Sequence, residues 1–318
     1  MKRVAACLAA LFVAAGAWAQ GAYPAKPIRI VIPFSPGSAT DQTTRILSQA
    51  VSAALGQPFV YDYKAGANGA IAGADIAKSP PDGYNLLVAG GSVMAVVPAT
   101  VKNPPYDPVR DFTPIADFGR FTFFLFTNVD VPAKSLGEFI SYAKANPKKL
   151  SYGTGNASGI VAFTQMNSLA GIDLVSVPYK GEPPAVIDLV AGRLDAMWAT
   201  PSTTLVHVKD GKLRALATSL TTRSRLLPDV PTMEEAGMPK FNIVLWQGLV
   251  GPAGMPREIV DRLNREFNAA MKKPEVIAAM EQQAFTLVPG APEHFGALIK
   301  EQMDTYRNLL RQAGIQPQ

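Results

Sequence analysis

The stretch Ile28 to Leu55, IRIVIPFSPGSATDQTTRILSQAVSAAL, decides the fold of this 318-residue chain. Ile28, Ile30, Val31 and Ile32 form a short apolar run rich in β-branched residues, which predicts a buried strand. Ser35, Pro36, Gly37 and Ser38 interrupt it, and Thr40 or Asp41 is placed to cap a following helix. Ile46, Leu47, Ala50, Val51, Ala54 and Leu55 recur at helical spacing, and Gly56 stops the helix. The first amides of such a helix lack partners within it and carry partial positive charge, so a carboxylate or phosphate fits there. Two readings stay open on the segment alone: an anion site, or a loop capped by its own Ser and Thr.

Working outward, residues 1–19 read as a signal peptide: Lys2 and Arg3 form the basic start, Ala5 to Ala15 the apolar middle, and Ala17-Trp18-Ala19 the cleavage site. Its removal leaves 28 Lys plus Arg against 25 Asp plus Glu, a net of +3. Basic residues such as Arg110, Lys148, Arg223 and Lys272 are scattered, which gives nucleic-acid binding no support. The one cysteine, Cys7, lies in the leader, so disulfides and thiol chemistry are excluded from the remainder. No later apolar run reaches the roughly 18–20 residues that span a bilayer.

Apolar β-branched runs alternate with amphipathic helices almost throughout, predicting an α/β fold of parallel βαβ units. Expected strands are 59–61, 86–89, 121–127, 150–152, 174–177, 194–198 and 213–218. Ser135 caps a helix over 136–145, Pro256 opens one through Met271, and a last helix carries Phe295, Ile299, Tyr306 and Leu310. The opening device occurs a second time: Lys149 to Tyr152 is a short strand, Gly153-Thr154-Gly155-Asn156-Ala157-Ser158-Gly159 a loop, and Val161, Phe163 and Met166 a helix face. About 300 residues suit two lobes, each with an anion-ready helix start, and two such lobes facing each other would grip a small acid in the cleft between them.

Catalytic signatures are sparse. Gly153, Gly155 and Gly159 miss the G-x-G-x-x-G spacing by one residue, and neither a P-loop nor a G-x-S-x-G elbow is present. Only His207 and His294 could supply imidazole, which weighs against hydrolysis and zinc. No cofactor and no metal are expected. Asp41, in the first turn after the opening loop, is placed to fix that loop by accepting backbone N–H groups or to orient a water. Lys180 reads as a partner for an acid or as a solvated surface charge, and Trp198 and Trp246 as cleft walls or core.

Seven short motifs occur in order. They are Val31-Ile32-Pro33-Phe34-Ser35-Pro36-Gly37 with Asp41, Gly66-Ala67-Asn68-Gly69, Pro81-Asp82-Gly83-Tyr84 and Val177-Pro178-Tyr179-Lys180-Gly181. Gly192-Arg193-Leu194-Asp195 follows, then Arg225 with Leu227-Pro228-Asp229-Val230-Pro231-Thr232 and Glu235-Ala236-Gly237, and lastly Trp246-Gln247-Gly248 with Gly251-Pro252-Ala253-Gly254. On these the chain resembles the Bug family, periplasmic solute-binding receptors of tripartite tricarboxylate transporters.

The resemblance implies a two-lobed, type II periplasmic binding-protein fold, each lobe a mostly parallel sheet flanked by helices. Lobe 1 would comprise 20–120 plus 242–318, with the last helix able to pack on lobe 2, and lobe 2 would comprise 121–241. It implies a receptor and not an enzyme: capture of a di- or tricarboxylate, or an aromatic acid, in the periplasm by a monomer that delivers it to integral-membrane transporter subunits. The implied ligand-binding residues are Phe34, Ser35, Pro36, Gly37, Ser38, Ala39, Asp41, Asn68, Gly69 and Ser92 on one side, and Thr154, Gly155, Asn156, Ser158, Tyr179 and Thr200 on the other. The chain departs from the family pattern at Ser38 and Asn68, which stand where glycine is usual, in a shorter second-lobe loop, and at Ile160, where histidine is common. With Phe121, Phe123 and Trp198 as cleft candidates, these departures favour an aromatic or partly apolar acid. A ligand sensor and a secreted α/β enzyme acting on an organic acid are the alternatives.

Overall fold

The computed structural model describes residues 23–312 apart from 221, 242 and 244, so the signal-peptide reading of residues 1–19 lies outside the described residues. In chain order the elements that position the site are β1 (Ile28–Ile32), α1 (Ala39–Leu55), β2 (Phe59–Tyr63), α2 (Ala70–Ala77) and β3 (Asn85–Gly90). A helical stretch, Ser92–Val96 and then Val97–Thr100, leads on to β4 (Phe112–Phe121), β5 (Phe124–Asn128), α3 (Leu136–Ala145) and β6 (Ser151–Thr154). Then come α4 (Ala157–Ala170), β7 (Val175–Pro178), α5 (Glu182–Val190), β8 (Ala196–Ala199), α6 (Pro201–Lys209) and β9 (Leu213–Thr218). The chain closes with β10 (Leu245–Pro252), α7 (Arg257–Ala270), α8 (Pro274–Gln282), β11 (Phe285–Leu287) and α9 (Pro292–Gln312).

These strands make two sheets, one in the order β11-β4-β10-β3-β1-β2 and one in the order β7-β6-β8-β5-β9. The alternating pattern predicts mostly parallel sheets, and the βαβ units do run parallel, β1 with β2 and β3, and β6 with β7 and β8. Each sheet is nonetheless mixed. β10 runs antiparallel to β3 and β4, and β5 antiparallel to β8 and β9. The physical reason is that β5 and β10 are the strands by which the chain enters one sheet from the other, rather than through a helical crossover of the same sheet.

A single strand over 121–127 is likewise corrected. It breaks at Thr122 and Phe123, where the chain changes sheets: the Thr122 amide donates to Ala284 O (2.8 Å), whereas Phe123 O accepts from the Ser219 amide (2.8 Å). Phe123, Trp198 and Phe241 stack behind this crossing, with ring centroids 5.4 and 5.0 Å apart. α9 packs on β4 and on the helical stretch from Ser92, and it also touches α4 of the second sheet.

β10, with the sequence LWQGLVGP, has no strand-like pattern because its glycines and Pro252 read as a loop. Packing explains them. A Cβ at Gly248 would lie 2.3 Å from Phe295 Cζ and 2.6 Å from the Ala116 carbonyl oxygen, so the sheet and α9 close together only over a bare backbone. Gly248→Ala is therefore expected to lower the unfolding free energy by about 1–3 kcal/mol through overpacking. A urea titration followed by far-UV circular dichroism would register this as a lower midpoint at unchanged slope, and an unshifted midpoint would show that the strand can yield.

Candidate ligand-binding cleft

Where β1 ends, Pro33 and Phe34 lead into a turn in which the Ser38 amide donates to Ser35 O (3.2 Å) and Gly37 takes the left-handed conformation (φ 78°) that favours glycine. Ser38, rather than Thr40 or Asp41, is the N-cap of α1, and its hydroxyl accepts from the Asp41 amide. It takes this role because it is the last extended residue before the helix. Asp41 lies beneath the loop, 4% exposed. Its Oδ2 accepts from the Gly37 amide (2.8 Å), and its Oδ1 accepts from Arg45 Nε and the Tyr63 hydroxyl, each at 2.8 Å. Its charge is thus spent on holding the loop. The amides of Ala39 and Thr40 have no partner among the described residues.

Gln247 of β10 fixes α1 from below. Its Oε1 accepts from Thr43 Oγ1 (2.6 Å) and its Nε2 donates to Thr44 Oγ1 (2.8 Å). On the other lobe, Asn156 caps α4 by accepting from the Gly159 amide (2.9 Å). The two lobes touch: the Ser158 amide donates to Ser92 Oγ (3.2 Å), and Ser35 Oγ donates to Lys180 O (3.3 Å). Tyr306 of α9 hydrogen-bonds Ser158, and burial pushes its phenol up to about 12.

Between the lobes lies an inner cavity of about 40 Å³, room for a few waters. Of the residues expected at the site, Phe34, Ser38, Ala39, Ser92, Gly155, Asn156, Ser158 and Thr200 line it. Asn68, Gly69 and Tyr179 line a neighbouring cavity of about 300 Å³ that shares Phe34, Gly155 and Asn156 as wall. Ser35, Pro36, Gly37, Asp41 and Thr154 line neither; they shape the loops behind it. Tyr179 donates its hydroxyl to Asp188 Oδ2. Phe121 reaches the inner cavity, but Phe123 and Trp198 are core residues, 0% and 1% exposed.

Sequence reasoning missed part of the wall. Residues Val88 to Gly91, Leu245 and Gln247 enter it through the sheet edge, beside Trp246, which the sequence offers as cleft wall or core and which reaches the wall, and Glu182 enters from the start of α5. Glu182 is 5% exposed, and its Oε2 accepts from the Thr200 amide (3.2 Å), Thr200 Oγ1 (2.8 Å) and Thr203 Oγ1 (3.1 Å). Gly155 makes this seat possible, since a Cβ there would stand 2.6 Å from the Glu182 amide nitrogen. The inner wall contains the starts of five helical segments: Ser38 to Thr40, Gly91 and Ser92, Asn156 to Ser158, Glu182, and Thr200. Among the described residues no Lys, Arg or His lines it. Among the described residues no group of three or more His, Cys, Asp or Glu is arranged to hold a metal. What this wall offers chemically is amide and hydroxyl hydrogen bonding around one buried carboxyl.

Burial raises the Glu182 carboxyl above the ordinary carboxylate range, against the pull of the hydrogen bonds from Thr200 and Thr203. A raised folded-state value means that the folded protein holds the proton more tightly than the unfolded chain does. The stability linked to it is complete below the unfolded value near 4.3 and is lost as pH rises through the folded value. Glu182→Gln, which carries no charge, should therefore raise the melting temperature of the ligand-free protein at pH 7.5, with the gain shrinking as the buffer is taken towards pH 4. A melting-temperature difference independent of pH would contradict this.

The family model described as the tripartite tricarboxylate transporter family receptor matches residues 43–315. Protein BugT of Bordetella pertussis (strain Tohama I) is 35% identical over 296 residues, 92% of this chain and 90% of its own length. The structure of the periplasmic binding protein BugD superposes with a TM-score of 0.89 at 31% identity, covering 93% of this chain and all of that one. R. palustris Rpa4515 with adipate superposes with a TM-score of 0.89 at 28% identity, over the same shares. The sheet pair, the cleft between its lobes and the match along most of the sequence lead to one conclusion: this chain belongs to the tripartite tricarboxylate transporter receptor family of solute-binding proteins.

Proposed function

We propose that this chain captures a small carboxylic acid between its two lobes in the periplasm and delivers it to the integral-membrane subunits of a transporter. The observation that carries the reading is the convergence of five helix starts on one cavity whose described wall residues include no lysine or arginine. Backbone amides and hydroxyls hold a carboxylate by direction rather than by full charge, which permits release to a partner. BugD is a periplasmic binding protein, and the structure of Rpa4515 is one with adipate. Among the described residues no nucleophile paired with a base lines the cavity, which favours a binding role over an enzyme acting on an organic acid.

Capture requires the lobes to part and close, because an inner cavity of about 40 Å³, room for a few waters, must widen to take a dicarboxylate. The two changes of sheet, at Thr122 and Phe123 and between β9 and β10, serve as the hinges that divide lobe 1 from lobe 2. Closure brings the Ser35 loop onto the Lys180 loop. A Cβ at Gly181 would stand 2.8 Å from Ser35 Oγ and 3.2 Å from Ser35 Cβ, a conflict that exists only when the lobes meet.

A thermal-shift screen across aliphatic and aromatic mono- and dicarboxylates is expected to raise the melting temperature in a concentration-dependent way, about 2.7 kcal/mol of stabilisation at a hundred times Kd. Stabilisation by sugars or neutral amides alone would refute the acid reading, and consumption of the stabilising compound would favour an enzyme. Gly181→Ala should weaken binding of the best acid by about three- to tenfold while leaving the ligand-free melting temperature within a degree or two, which separates a closure defect from a folding defect.

A further inference from the structure

Among the described residues, Glu182 is the one ionisable side chain in the wall of the inner cavity. It is nine-tenths or more buried, at 5% exposure. Its hydrogen bonds all go to Oε2 and all come from neutral groups, the amide and hydroxyl of Thr200 and the hydroxyl of Thr203. Oε1 has no hydrogen-bond partner among the described residues, and Glu182 is one of the residues that line the cavity. The carboxyl cannot retreat by a shift of its backbone, because Gly155 packs against the Glu182 amide and Cα so closely that a Cβ would stand 2.6 and 2.7 Å from them.

A carboxylate buried without a countercharge is unfavourable, and it is doubly so in a cavity that is to receive an acid. A plain dicarboxylate closed into this space would bring a second negative group against Glu182. An acid that also carries a protonated nitrogen would instead meet donors at one end and an acceptor at the other. Across the same cavity stand the unpartnered amides of Ala39 and Thr40 at the start of α1.

We propose that the missing countercharge arrives with the ligand: the acid captured by this chain carries an ammonium group, which pairs with Oε1 of Glu182 while its carboxylate takes the amides of Ala39 and Thr40. Glu182 is then the residue that selects zwitterionic acids over plain ones. Thr200 and Thr203 position it by occupying Oε2, and Gly155 makes room for it. This inference rests on the acid-capture reading above and names the ligand class for the same cavity.

The test is isothermal titration calorimetry of the purified protein at pH 7.5 against matched pairs that differ only in an amino group, succinate with aspartate and adipate with 2-aminoadipate. The expected result is at least tenfold tighter binding of an amino-bearing acid than of its amino-free twin. Glu182→Gln should remove or reverse that order, and Glu182→Asp, which keeps the charge but shortens its reach, should retain it in weakened form. Circular dichroism melts of both variants show whether they are folded. If the amino-free twins bind as well as or better than the amino-bearing ones, the inference is wrong while the acid-capture reading stands. It is equally wrong if amino acids are preferred and Glu182→Gln keeps the preference. If no acid of either kind binds, acid capture itself fails and this inference fails with it.

Discussion

The first amides of a helix have no acceptor within the helix, and an amide buried without a partner is unfavourable. This chain turns five helix starts towards one space between two sheets. The caps Ser38 and Asn156 satisfy one amide each, and Ser92 reaches across the lobes to satisfy that of Ser158. Those of Ala39 and Thr40 are left for whatever occupies the cavity. The polarity of the site therefore comes from backbone direction, and the strand-to-helix loops must hold their geometry closely for it to exist.

That geometry is held largely from behind the wall and from its floor. Asp41 binds the Gly37 amide and is itself tied by Arg45 and Tyr63, so a carboxylate stands beneath an anion-ready loop without opposing an anion in it. Gln247 reaches from β10 into the first turns of α1 and satisfies both ends of its amide on Thr43 and Thr44. A polar group buried this way orients its neighbours because few other arrangements satisfy it. Where the loops of the two lobes meet, Gly181 lets Ser35 approach closely, while within the second lobe Gly155 lets β6 pack against the start of α5.

Legibility followed sequence distance. The strand over 213–218 and the helix over 136–145 fall where the pattern predicts them, because β-branched runs and a Ser cap are local signals. Ser38 was visible as a loop residue, yet its capping role depended on which residue stayed extended. β10 was invisible because Gly248 answers to Phe295 and Ala116, residues remote from it in sequence. Glu182 was passed over because an acid in the first turn of a helix is ordinarily a solvated partner of the dipole. Only burial among neutral partners marks it as something else.

By itself the sequence determined the strand-loop-helix units, their small-residue loops and the scarcity of imidazole and thiol chemistry, since these depend on residues within a turn or two of each other. The tertiary structure decided which helix starts share a cavity, that Ser92 meets Ser158, and that Glu182 faces the same space as Ala39 and Thr40 without a counterion. Those juxtapositions join segments from separate sheets, and the spacing of residues along one segment carries no information about the other.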